Sequence, residues 1–386
     1  MNVLERLLSD LSSSAGDDGD PKSIVQNIEV VVFSEAVSSG DQDFVMDLMF
    51  RSEMPPSLFQ YLYNNVRDKR KSIVQAKIAV LKLISIYIKI YGSGVSLFGK
   101  FIFNACYDLY RREESKELKA TCLLPIKKLF SMLLTVQDEI ALNRSVGMLS
   151  EDDIRLDELY VELLSELRAA KQSKGGRCEI LKVLGLLIRL YPNAPQSNEQ
   201  AINVMDSCDK HLASNFSSSS ATEPDFPTIA GCFSCLDRCM FTFDERYMNS
   251  SNIWSYLLMA ISSVVQSDVH RYAIVGKALR LIKNHSSLFR KIAATNLTVT
   301  YKHIKSCLDT GKASIIKHAE DALLAIIAQA SLYVLDYARV LKESQLTDSH
   351  MSGNGSDVSR EVVDSVCDAL CSLMEQHMLA LSKEQH

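Results

Sequence analysis

"SDVHRYAIVGKALRLI" (residues 267–282) and "GKASIIKHAEDALLAII" (residues 311–327) decide the fold. In the first, Val275, Ala278, Leu279 and Ile282 fall at i, i+3, i+4 and i+7. In and just beyond the second, Ala319, Ala322, Leu323, Ile326 and Ala330 keep the same rhythm. That spacing lays one apolar stripe along one side of a 3.6-residue helix. Ala273, Gly276 and Ala278 are small. Small residues let one helix lie close against the next, so stacked hairpins share a continuous core. The two stretches begin about 45 residues apart, within the range of a HEAT repeat, and "ELKATCLLPIKKLF" (residues 117–130) is a weaker echo. The expected fold is all-α, an α-solenoid of HEAT/armadillo-like helical hairpins.

The rest of the chain follows the same pattern. Leu81, Ile84, Ile88 and Tyr91 repeat it, as do Val363, Val366, Cys367, Leu370 and Met374. The run Ile28 to Phe33 tempts a strand assignment, but it follows "PKSIVQNIE", with Pro21 suited to a first helical turn. Only 15 Gly and 8 Pro occur in 386 residues, which favours long helices and short turns over a sheet. Residues 1–20 read as a disordered acidic and polar tail, and 21–343 as the solenoid. Residues 344–359 are rich in Gly, Ser and Asp and read as a flexible linker. Residues 360–386 read as a further solenoid helix that continues into a longer protein.

Composition narrows the function. The formal net charge is −5, so any nucleic-acid contact must be a local patch on an acidic chain. The N-terminus lacks a basic start followed by an unbroken apolar run, so no signal peptide is expected. No stretch reaches about 18 apolar residues without a charge, so no membrane contact is expected. Ten cysteines in an intracellular chain are expected to stay reduced and mostly buried.

"FPTIAGCFSCLDRCMFTF" (residues 226–243) looks at first like metal or redox chemistry. It holds Cys232, Cys235 and Cys239. Helical spacing sets Cys232 beside Ile229, Phe233, Leu236 and Met240, with Asp237 and Arg238 opposite and Asp225 as the N-cap. Structural zinc needs four ligands, and no second close pair accompanies these. A packed helix face is the stronger reading, and no cofactor or metal is expected. "YGSGVSLFGK" (residues 91–100) follows a helix with the wrong spacing for a phosphate loop. No H-E-x-x-H, G-x-S-x-G, D-F-G or H-R-D motif occurs, so no catalytic residue is assigned.

Three basic clusters remain. "RDKRK" supplies Arg67, Lys69, Arg70 and Lys71; "YRREESKELK" supplies Arg111, Arg112, Lys116 and Lys119; "PIKK" supplies Lys127 and Lys128. Read as successive helix ends, they would line one solenoid edge and hold a phosphate backbone without reading bases. The competing reading is a solvated face whose charge Glu113, Glu114 and Glu117 cancel. Ser344-Gln345 is a candidate phosphosite.

"VLGLLIRLYPNAP" (residues 183–195), "FPTIAGCFSCLDRCMFTF" and "HRYAIVGKALRLIKNHSSLF" (residues 270–289) occur in this order. Together they resemble the N-terminal helical region of the DNA-dependent protein kinase catalytic subunits, a family of phosphatidylinositol-3-kinase-related kinases. The resemblance is good from about Leu159 to Ala330 and weaker, though collinear, from Ile73 to Leu134. It implies a nuclear, non-catalytic scaffold segment. Its implied partners are the Ku heterodimer, double-stranded DNA ends and the remainder of a kinase chain. The implied process is double-strand-break repair by non-homologous end joining. The alternative is a HEAT/armadillo adaptor that binds protein and has no DNA role. The matching motifs are core residues, so the DNA role of the basic clusters is an expectation of its own.

Overall fold

The structure is a computed structural model. It describes residues 3–13, 20–39, 54–92, 99–140, 154–169, 174–190, 197–216, 224–243, 248, 251–263 and 269–347. Every regular element among the described residues is helical. None of these helices is long and apolar enough to cross a membrane.

Local chemistry sets the helix ends. α1 spans Val3–Ser13, and α2 (Pro21–Ser39) opens on Pro21, whose missing N–H costs nothing in a first turn. Asp20 caps α2, accepting from the Lys22 N–H at 3.2 Å and the Ser23 hydroxyl at 2.6 Å. The β-branched run Ile28 to Phe33 is helical, with Val25 and Ile28 buried. α3 (Met54–Asn64) carries Pro55 and Pro56 in its first turn. α4 (Lys71–Tyr91) ends on Gly92 at φ +57°, a left-handed conformation that favours glycine. α5 is Gly99–Arg112, α6 Lys116–Ile140, α7 Ile154–Arg168 and α8 Lys174–Leu190.

These eight helices belong to the first of two compact units, residues 1–197. They pair as hairpins: α1 with α2, α3 with α4, α5 with α6, α7 with α8. α2, α4, α6 and α8 stack in one row, each on the next, while α1, α3 and α5 stack in another. Two rows of antiparallel helices sharing one core are the solenoid arrangement the spacing predicts. Between them lie Phe103 and Phe130, fully buried and stacked with centroids 5.9 Å apart.

The second unit, residues 198–386, repeats the plan. Its helices are α9 (Ser197–Phe216), α10 (Phe226–Cys239), α11 (Ile253–Ser262), α12 (Val269–Asn284), α13 (Arg290–Thr295), α14 (Leu297–Leu308) and α15 (Ala313–Thr347). α10, α12 and α15 form one row; α11 and α14 pack on each other in the second row and pair with α12 and α15. Val275, Ala278, Leu279 and Ile282 are buried, as are Ala319, Ala322, Leu323, Ile326 and Ala330. The two stretches are in register at a shorter offset than their sequence echo implied. Arg280 faces His318 and Lys283 faces Asp321, each 38 residues on. The turn from Asp309 to Lys312 leads into α15, and Gly311 within it takes φ +69°.

Three expectations need correction. The tail over residues 1–20 includes α1, whose Leu8 and Leu11 are buried because Leu8 and Leu11 share one helix face. Of the linker expected over residues 344–359, residues 344–347 are helical, because α15 runs to Thr347 and contains Ser344. "PIKK" is not a helix end: Lys127 and Lys128 sit in the middle of α6, which runs straight through Pro125. The Thr121 carbonyl loses its i+4 amide partner there, and packing of α6 against α4, α5 and α8 offsets that loss. Residues 348–386, with the expected helix over 360–386, lie outside the described residues.

Candidate nucleic-acid interface

The first two basic clusters meet at one end of the first unit. The turn between α3 and α4 carries Arg67, Lys69 and Arg70; the turn between α5 and α6 follows Arg111 and Arg112. Both are turns within hairpins, so the stack brings them side by side. An open groove of about 1010 Å³ lies between them, lined by Tyr63, Arg67, Lys69, Arg112, Glu113 and Glu114 among others.

Acids accompany most of these cations. Lys69 Nζ donates to Glu114 at 2.6 Å, with both side chains about three-quarters exposed (76% and 77%). That bond holds the Glu114 carboxyl below its usual range and the Lys69 ammonium above its own. Arg70 forks onto Asp68, with Nη2 at 2.7 Å, and lowers its pKa. Arg111 reaches Glu158 of α7 at 3.3 Å and lies over the Tyr107 ring. Arg112 lies over the Tyr63 ring at 5.8 Å. Lys127 donates to Glu179 of α8. Burial pushes the Glu179 carboxyl up, but hydrogen bonds from Lys127 and Lys182 outweigh it and hold it low. Arg67, Lys71 and Lys128 are exposed and have no acid partner among the described residues. Lys128 stands well away from the other two: its place in α6 is about 18 Å from the helix start by rise per residue.

The groove has a buried floor. Lys77 and Glu113 pair at 2.8 Å with side chains 2% and 6% exposed, and Lys77 also donates to the Val66 carbonyl at 3.1 Å. This pair ties α4 to both turns. Lys77 interrupts the apolar run of residues 73–91, and the sequence reading gave it no role. The missed signal is its position: Ile73, Lys77 and Leu81 are at i, i+4 and i+8, all buried. A lysine inside an apolar stripe needs a buried partner.

A second missed feature is the set of bridges between successive hairpins. Lys69–Glu114, Arg111–Glu158, Lys119–Glu166 and Arg155–Asp108 join residues 45 to 47 apart. Their offset is the repeat length itself.

The cysteine stretch is core. Asp225 caps α10, accepting from the Thr228 N–H at 3.2 Å, with Pro227 in the first turn. Cys232, Cys235 and Cys239 are fully buried. Cys208 of α9 joins them: the Cys232 thiol lies 4.0 Å from the Cys208 carbonyl, and Cys235 and Cys239 sulfurs are 3.8 Å apart. Hydrogen bonds with Cys232 and Cys235, together with burial, push the Cys208 thiol well up, so it stays protonated near neutral pH. Among the described residues no group of three or more His, Cys, Asp or Glu is arranged to hold a metal ion.

Comparison with known proteins adds what geometry does not carry. The family model described as DNA-PKcs, N-terminal, matches residues 43–347. The DNA-dependent protein kinase catalytic subunit of Mus musculus is 24% identical over 312 residues, 80% of this chain and 7% of that protein. The Xenopus laevis protein of the same name is 25% identical over 287 residues, 73% of this chain and 6% of its own. The Dictyostelium discoideum protein is 22% identical over 289 residues, with the same coverage, 73% and 6%. The chain spans only about one-fifteenth of the length of these relatives, as the 6% and 7% shares show.

Proposed function

The chain belongs to the DNA-PKcs N-terminal family, and we propose that it is a non-catalytic scaffold segment of a DNA-dependent protein kinase catalytic subunit-like protein. Its task in this reading is to help bind DNA ends and the Ku heterodimer in double-strand-break repair by non-homologous end joining, in the nucleus. The family match over residues 43–347 carries the reading. Two stacked rows of helices support it, because a solenoid offers a long, even surface to a large partner. In this reading phosphoryl transfer belongs to the remainder of the protein, and Ser344 is a site for its regulation.

The DNA contact is assigned to the groove edge. Arg67 and Lys71 can meet phosphate without giving up a carboxylate, whereas Lys69, Arg70 and Arg111 must trade one ion pair for another. Lys127 and Lys128 lie too far along α6 to belong to that edge and are proposed as a separate, weaker contact. Neutralising Arg67 and Lys71 to Gln, in the chain assayed with Ku and DNA ends, is expected to weaken binding. The slope of log affinity against log salt should fall by about two, at roughly 0.9 per phosphate contact. An unchanged slope and affinity would sink the DNA assignment. One observation favours a second reading, a protein-binding adaptor without a DNA role: Lys69, Arg70, Arg111 and Lys127 are already paired with acids.

A further inference from the structure

Three cations from two neighbouring helices gather around one imidazole in the second unit. Arg280 and Lys283 belong to α12, Lys317 and His318 to α15. Arg280 Nη2 lies 3.5 Å from His318 Nε2. The His318 ring packs against Gly276, where an added Cβ would meet its Cδ2 at 3.7 Å. Asp321 is the acid that faces the group, and Lys283 already holds it at 2.7 Å. Arg280 and Lys317 are exposed and have no carboxylate partner among the described residues. Burial, then the Arg280 charge, push the His318 pKa down; Lys283 and Lys317 push the same way, against Asp321. The imidazole stands in a positive field.

The same side of α15 changes character a turn further on. Leu324, Ala328 and Leu332 follow at i, i+4 and i+8, and all three are exposed. Leu324 at 69% is the most exposed large apolar side chain among the described residues, and Leu332 is at 47%. An exposed apolar stripe beside a charged group marks a binding surface more than either does alone. A nucleic-acid backbone would use the cations and leave the leucines wet. A phosphorylated peptide uses both: a dianionic phosphate suits an arginine fork with flanking cations, and a nearby apolar side chain suits the stripe.

We propose that this face of α12 and α15 binds a phosphorylated peptide segment, with Arg280, Lys317 and His318 on the phosphate and Leu324 and Leu332 under an apolar side chain. From His318 to Leu324 the helix rises about 9 Å. An extended peptide covers that in about three residues. The site therefore selects an apolar residue about three positions from the phosphorylated one.

The test screens the 386-residue chain against a degenerate phosphoserine peptide library and its unphosphorylated twin. Selected peptides are then titrated by fluorescence anisotropy. The expected result is selection of phosphopeptides with an apolar residue about three positions away, bound at least about tenfold tighter than the twin, as for one to three new charge-assisted hydrogen bonds. Arg280→Gln and Lys317→Gln, both at exposed positions, remove that preference and leave twin binding unchanged; Leu324→Ser weakens both peptides. Equal binding of phosphopeptide and twin overturns the proposal, as does wild-type affinity in Arg280→Gln and Lys317→Gln. So does ready displacement of the peptide by short duplex DNA, which would assign the cations to a nucleic acid.

Discussion

Lys77 and Glu113 are charged and buried, so their energetics depend on each other. Removing one partner strands the other charge in a dry environment. Lys77→Met is expected to destabilise the first unit by about 3–5 kcal/mol, whereas the double change Lys77→Met with Glu113→Leu recovers most of the loss. Denaturant melts of the single and double variants check this; a double variant as unstable as the single one would refute it. Asp237 gives a pH test in the second unit. Burial raises its pKa, but hydrogen bonds from His285 at 3.1 Å and Asn284 at 3.0 Å outweigh burial and hold it low. A depressed carboxyl stabilises the fold above its unfolded value, and that contribution is lost as pH falls through the folded one. Stability is therefore expected to drop below about pH 4, where unfolded Asp titrates, and to drop less steeply in Asp237→Asn. Thermal melts across that range read the difference.

α10 shows how a suggestive motif becomes structure. Asp225 fixes its start, and Asp225→Ala is expected to cost about 1 kcal/mol through the lost cap. Cys232, Cys235 and Cys239 fill space against Cys208. Replacing all three with Ala removes buried sulfur and should lower the melting temperature of the second unit without altering metal content. Stoichiometric zinc in the purified wild-type chain would overturn the core reading. Periodicity made α4, α10, α12 and α15 legible, because each buries one stripe and nothing else competes for it. It misled inside α6. Pro125 reads as a boundary from the residue alone, yet neighbours on three sides hold the helix together across it. Likewise the basic clusters were legible as charge, but not their partners. Glu158 and Glu179 are a whole repeat away, and no local rule pairs residues at that distance. Glu113 is nearby in sequence and was read as a solvated counter-charge, whereas its place under the groove depends on how the two turns meet.

At the scale of the molecule, each hairpin in a row meets mainly the one before and the one after. Stability is then close to a sum of repeat terms and nearest-neighbour interfaces. Hydrogen exchange is expected to show protection that varies from hairpin to hairpin, and melting is expected to be broad. One sharp transition with uniform protection would contradict this. The bridges at 45 to 47 residues set a schedule as well as a register. Lys69 leaves the ribosome well before Glu114, and Arg111 well before Glu158. At about 5–20 residues per second, each hairpin waits roughly 2–9 s for the partner that completes it. Synthesis thus imposes a direction on assembly: every newly made hairpin finishes the one before it and leaves its own forward face open until the next arrives.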